Sequence, residues 1–81
     1  MPPETDLRRL RWLCRRGMKE LDIVLGWYLD DCFPSAEEAE RQAFVELLAI
    51  EDPVIWHWLV GSAPLPEGLL GHVVGRLIDR R

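Results

Sequence analysis

The stretch Leu10-Arg11-Trp12-Leu13-Cys14-Arg15-Arg16-Gly17-Met18-Lys19-Glu20-Leu21-Asp22 decides how the chain begins. Through it, Leu7, Leu10, Cys14, Gly17, Leu21, Val24 and Tyr28 recur at spacings of three and four, the period of one helical face. Read by period alone, this is a single helix from about Asp6 to Cys32. Gly17 interrupts that reading, because a glycine inside a helix costs ~1 kcal/mol relative to alanine. The pair Arg15-Arg16 just before it suits the C-terminal end of a helix dipole. Two helices joined near Arg15–Gly17 are the rival reading, and both stand at this point.

Outward from this stretch the pattern stays helical. Phe33-Pro34-Ser35 closes the first unit. Ser35-Ala36-Glu37-Glu38 reads as a capping box, with Ser35 as N-cap and Glu38 at the third helical position. The helix it opens carries Ala39, Ala43, Phe44, Leu47, Leu48 and Ile50 on one face. Asp52-Pro53 then restarts the chain, with Asp52 as a cap and Pro53 at the first helical position. That short helix runs to Trp58 or Val60, and Gly61 can end it. After the loop Ser62-Ala63-Pro64-Leu65-Pro66, a last helix is expected from about Glu67 to Asp79. Leu69, Leu70, Val73, Val74, Leu77 and Ile78 give its apolar stripe. Gly68, Gly71 and Gly75 weaken it, so its ends are expected to fray. The reading is all-α: a small single-domain bundle of four to five helices, one domain over residues 1–81.

Composition agrees with a small soluble fold. The chain has 81 residues, 48% of them hydrophobic and 30% charged. Its four tryptophans supply bulk to a small core, with one or two left for a partner. The net charge is −4 but is unevenly placed: residues 1–20 sum to +3 and residues 21–81 to −7. General nucleic-acid binding calls for a basic domain, so no nucleic acid is expected; a protein partner with its own uneven surface fits better. No stretch approaches the ~18 apolar residues of a membrane span, so no membrane is expected. Met1-Pro2-Pro3-Glu4-Thr5-Asp6 has no basic n-region leading into an apolar run, so no secretory signal is expected and the bacterial cytoplasm is the expected compartment. Cys14 and Cys32 read as buried, reduced thiols.

Chemistry has little to stand on. His57 and His72 lack acids or cysteines at metal-ligand spacing, no glycine-rich loop follows a strand, and no nucleophile has a base beside it. No catalytic residue, metal or cofactor is expected, and the chain does not read as an enzyme. The informative group is Arg16, Gly17 and Glu20. On one helix, Arg16 and Glu20 share a face that Gly17 leaves bare between them. If a helix starts at Gly17, Arg16 puts positive charge at the positive end of its dipole, a broken local rule of the kind found at functional sites. The plain alternative is an exposed ion pair worth ~0.3–0.5 kcal/mol, with the glycine packed against a neighbouring helix.

Arg16-Gly17-x-x-Glu20, preceded by Arg9 and Trp12 and followed by Phe44-Val45-Glu46-Leu47-Leu48 and Glu51-Asp52-Pro53-Val54-Ile55-Trp56-His57-Trp58-Leu59, resembles the succinate dehydrogenase flavinylation factors. This is the SdhE family of bacteria (also called YgfY), which has mitochondrial relatives. The resemblance runs over nearly the whole chain. It departs in the glycine-rich last helix and in stopping at Arg81, before the polar tail that some members carry. It implies a five-helix bundle whose first helix ends before the Arg-Gly motif, which favours two helices. It implies an FAD assembly factor that binds the flavoprotein subunit of succinate dehydrogenase, or of fumarate reductase, and promotes its covalent flavinylation. A monomer is expected. The same resemblance makes Arg16 and Glu20 interface anchors, lets Gly17 permit close approach, and gives Arg9 and Asp52 flanking charge. Trp56 joins them as partner-binding, with Trp58 turned inward and Trp56 more exposed. Rival readings are a small antitoxin-like or adaptor protein and, last, a nucleic-acid binder using the arginine-rich first helix.

Overall fold

The computed structural model describes residues 4–80, which form five α-helices and no strand. The Met1-Pro2-Pro3 start of the segment read for a leader, and the Arg81 end, lie outside the described residues. The first helix, α1, is Glu4–Leu13, and the second, α2, is Lys19–Trp27, so the two-helix reading holds. The turn between them is tightened by Cys14 N–H donating to Leu10 O and Arg11 O, and by Arg15 N–H donating to Trp12 O at 3.0 Å. Met18 is extended at φ −105°, ψ 121°, and no side chain caps α2 there.

α2 does not stop at Trp27 but runs into a π-helical turn, Tyr28–Cys32, and then a 3₁₀ turn, Phe33–Ser35. The wider turn buries Tyr28, Leu29 and Cys32 and leaves Asp30 and Asp31 outside. The third helix, α3, is Glu38–Leu48. The expected capping box is not formed. Ser35 belongs to the 3₁₀ turn, Glu37 stands at the N-cap, and no side chain caps it. Arg41 does the tying instead: its guanidinium donates to Phe33 O at 3.0 Å and to Pro34 O at 2.7 Å, and lies over the Phe33 ring.

The fourth helix, α4, is Asp52–Leu59. Glu51 is its N-cap, so Asp52 is the first helical residue rather than the cap, and Pro53 follows one place later than expected. The helix ends as the sequence suggests. Gly61 takes φ 81°, its N–H donates to Trp58 O at 3.2 Å, and Ser62 N–H donates to His57 O at 2.9 Å. These are the paired bonds of a Schellman cap, and the positive φ suits glycine.

The fifth helix, α5, is Gly68–Arg80 and packs mainly against α3. Its glycines differ in role. A Cβ at Gly71 would sit 1.9 Å from Pro66 O, so the loop before α5 lies directly on the helix at that point. Leu69 is exposed and drops out of the expected stripe, as does Ala39 from that of α3.

The core is not built on tryptophan. Its largest enclosed side chains are Tyr28 and Phe44, stacked at 4.5 Å between centroids, with Phe33 tilted against Phe44 at 5.8 Å. Leu21, Leu25, Leu47, Ile55, Val73, Val74 and Leu77 complete it. Trp12 is 68% exposed, and Trp27, Trp56 and Trp58 are half-buried around the rim. The expected contrast between Trp56 and Trp58 is therefore absent: both lean against the core and both reach solvent.

Candidate partner-binding site

Three helix ends converge where α1 gives way to α2. Leu13 closes α1, Leu48 closes α3 with Ile50 just beyond, and Asp52 opens α4. The last carbonyls of a helix have no partner inside it, and they carry the negative end of its dipole. Arg16 supplies what they lack. Its Nη1 donates to Leu13 O and Leu48 O, both at 2.9 Å, its Nη2 to Ile50 O at 2.6 Å, and its Nε to Asp52 Oδ1 at 2.7 Å. The Arg16 side chain is only 11% exposed. Its backbone N–H donates to the Asp22 carboxylate, which reaches back from the first turn of α2.

This corrects the charge reading of Arg16. α2 begins three residues after it, so Arg16 and Glu20 do not share a helix face. The guanidinium lies at the negative ends of α1 and α3, where a cation is favoured. It is an internal brace, with its donors committed inside the fold. Hydrogen bonds of this charge-assisted kind are worth roughly 1.5–3 kcal/mol each when buried.

Asp52 completes the corner. While Oδ1 takes the Arg16 bond, Oδ2 accepts the Gly17 N–H at 3.0 Å. Desolvation pushes the Asp52 carboxyl up, but the bonds from Arg16 and Gly17, together with the Arg16 charge, outweigh it and hold the pKa below its ordinary value. Gly17 itself is exposed, has no positive φ, and has room above it: a Cβ would meet only Asp52 Oδ2, at 3.7 Å. No neighbouring helix packs on it, so the packed-glycine alternative fails.

The six residues singled out from the sequence therefore separate. Arg16, Gly17 and Asp52 are in direct contact, and Glu20 follows in the first turn of α2, half-buried, where an acid suits the dipole. Trp56 lies one turn beyond Asp52 on α4 and is half-buried. Arg9 stands exposed on α1, one turn before Leu13. Trp12, three residues after Arg9, is exposed beside it on the same helix. Asp22, which holds the Arg16 backbone, was present in the quoted stretch but given no role by pattern; an acid in the first turn after a broken helix was the available signal. The carbonyls of Leu13, Leu48 and Ile50 leave no side-chain signal at all.

Other polar groups serve the fold. Arg11 pairs with Asp30 at 2.6 Å with both side chains mostly in water, a pair of small worth. Tyr28 OH donates to Glu40, which His72 Nε2 also approaches at 3.3 Å; burial and that bond push the Tyr28 hydroxyl well above its usual range. Burial pushes the Cys14 thiol up to about 11, which makes it a poor nucleophile at neutral pH. Cys14 and Cys32 are free and buried, as expected. Among the described residues no group of three His, Cys, Asp or Glu could hold a metal ion, and no helix is long and apolar enough to cross a membrane.

The fold and this corner define a class: small helical proteins that present a braced, charged turn at their surface. Residues 8–81 match the family described as flavinator of succinate dehydrogenase, and the chain belongs to it. Its relatives include proteins named FAD assembly factor SdhE. That of Aliivibrio fischeri is 51% identical over 71 residues, covering 88% of this chain and 83% of its own length. That of Vibrio cholerae is 45% identical over 70 residues (86% and 81%), and that of Shewanella oneidensis 33% over 75 residues (93% and 92%).

Proposed function

We propose that the chain is an FAD assembly factor: it binds the flavoprotein subunit of succinate dehydrogenase and promotes covalent attachment of FAD to a histidine of that subunit. The observation that carries this reading is the Arg16–Asp52–Gly17 corner, which coincides with the Arg-Gly-x-x-Glu motif in a member of this family. The flavoprotein subunit of fumarate reductase is the second client of this reading. The factor itself need supply no reacting group. Covalent attachment requires the flavin 8α-methyl carbon to stand against the histidine, and correct placement alone lowers a barrier by several kcal/mol. A small partner achieves this by preferring one arrangement of the client, each ~1.4 kcal/mol of preference shifting that population tenfold.

Within this reading the residues divide by task. Gly17 and Glu20 meet the client, with Arg9 and Trp56 flanking them. Arg16 and Asp52 hold the turn in the shape that the client meets. The factor acts as a monomer in the cytoplasm, as one unit over residues 1–81, and is not an enzyme. The test is co-expression with the flavoprotein subunit, followed by acid denaturation, gel separation and scoring of flavin fluorescence. Wild type should give a fluorescent client band. Glu20→Ala should stay folded and lose most of that signal; a full signal from folded Glu20→Ala would remove Glu20 from the interface.

A further inference from the structure

The corner is too small to be the whole interface. A specific protein complex takes ~800 Å² from each partner, about one sixth of the 5145 Å² that this chain exposes. Gly17 and Glu20 offer only a fraction of that, so the contact must run on to neighbouring surface. The adjoining concave surface is a groove of about 780 Å³ between α1 and α3. Its apolar wall is Leu10 and Leu13 from α1, Val45 and Leu48 from α3, and Phe33. Leu13 and Leu48 are the residues whose carbonyls Arg16 holds, so the groove opens at the corner and runs away from it.

The groove also has a chemical character. On α3, Glu38, Arg41, Gln42 and Val45, with Ala49 just past its end, line it at spacings of one, three and four, a second face of that helix distinct from the core face of Ala43, Phe44 and Leu47. Val45 is 43% exposed and is not among the aliphatic side chains packed against the core. Of the two cations, Arg41 is committed to Phe33 O and Pro34 O, whereas Arg9 has no hydrogen bond or ion pair to another described residue. Arg9 stands on the first twenty residues, which carry +3 in a chain of net −4. Against the two arginines stands one lining carboxylate, Glu38, so the groove's charged side chains sum to +1, and this excess calls for an acidic group opposite.

We infer that this α1–α3 groove takes an amphipathic, acidic-edged helix of the same flavoprotein subunit, with its aliphatic face against Leu10, Leu13, Val45 and Leu48 and a carboxylate toward Arg9. Helix-in-groove docking suits a trough between two helices, and no strand edge exists among the described residues for a client strand to extend. The inference rests on the proposed function, since it names a further part of the same docking surface.

The experiment measures binding of the apo flavoprotein subunit of succinate dehydrogenase to wild type, Val45→Glu, Val45→Lys and Glu20→Ala, each first checked for an unchanged melting curve. Val45 is exposed, so both charged variants should fold. Val45→Glu removes the aliphatic contact and repels an acidic helix, and should bind at least ~10-fold more weakly; Val45→Lys loses only the contact and should bind a few-fold more weakly. Equal losses in the two would overturn the acidic occupant. Normal binding by both, with Glu20→Ala still weakened, would overturn the groove and leave the proposed function standing. No binding by wild type would overturn both.

Discussion

Gly17, at the α1–α2 junction, and Gly71, in the first turn of α5, each lie against a carboxylate or a backbone carbonyl, and they differ in what the glycine is for. At the second, Gly71 has no room for a side chain, because Pro66 O occupies the place of its Cβ. The fold itself demands that glycine. At the first, Gly17 has ordinary space above it and ordinary backbone angles, and it lends only its N–H to Asp52. Nothing within the chain demands a glycine there. A bare residue that the fold does not require, beside a brace that the fold does provide, sets the first glycine apart from the second.

The sharpest way to break this comparison is to remove the brace. Arg16→Ala leaves three carbonyls and the Asp52 carboxylate short of partners in a mostly buried setting. With partial exposure allowed for, it should cost about 2–4 kcal/mol in denaturant unfolding. A variant that melts like wild type would show that the turn is held by something else. Gly71→Ala should come next, at about 1–3 kcal/mol, since its clash is with backbone and not with a mobile side-chain tip. Its flavinylation loss should follow its stability loss, which separates it from the corner variants.

Asp52→Asn is a smaller and pH-dependent test, about 1 kcal/mol at neutral pH. The Asp52 pKa is lowered by folding, so its contribution is present above the ordinary carboxylate value of 3.8 and is lost as pH falls through the lower folded value. The gap in unfolding free energy between wild type and Asp52→Asn should therefore close on going from pH 7 to the acid side of that value. A gap that stays constant would contradict the depressed pKa. Smallest of all in stability should be Gly17→Ala, within about 0.5 kcal/mol of wild type. Gly17→Arg should likewise fold, yet block the client. If Gly17→Arg unfolds, the contrast between the two glycines disappears.

Local pattern carried the helices well, because burial of Leu21, Phe44, Leu47, Val73 and Leu77 at spacings of three and four is written in the chain. The Gly61 stop was equally readable, since positive φ has few takers. The caps were not. Ser35 and Asp52 have the right side chains for capping, but α3 starts later, beyond a 3₁₀ turn tied by Arg41, and Asp52 is drawn into an ion pair with a residue 36 positions away. Windows of a few residues cannot see such a partner. The π turn at Tyr28–Cys32 is hidden for a similar reason: it changes the helical phase beyond Tyr28 and buries Leu29 and Cys32 beside the Tyr28–Phe44 stack. That stack, rather than the tryptophans, fills the centre. For the corner, the resemblance singled out Arg16, Gly17 and Asp52, which the structure brings into contact, but the bracing by Arg16 is visible only from where its guanidinium points.

The Arg16 brace also bears on the order of events when the chain folds. Its partners at Leu48, Ile50 and Asp52 lie 32, 34 and 36 residues away, on segments that must each be in place before any of those bonds can form. Contacts of such separation are made late, after local helices and the first apolar contacts have paid the entropy of closing the loop. The brace then acts as a latch on the finished bundle. Its removal should leave the refolding rate nearly untouched and appear almost wholly as faster unfolding. In a chevron plot the Arg16→Ala folding arm should overlie that of wild type while the unfolding arm rises, so the brace sets how long a folded factor lasts rather than how quickly one is made.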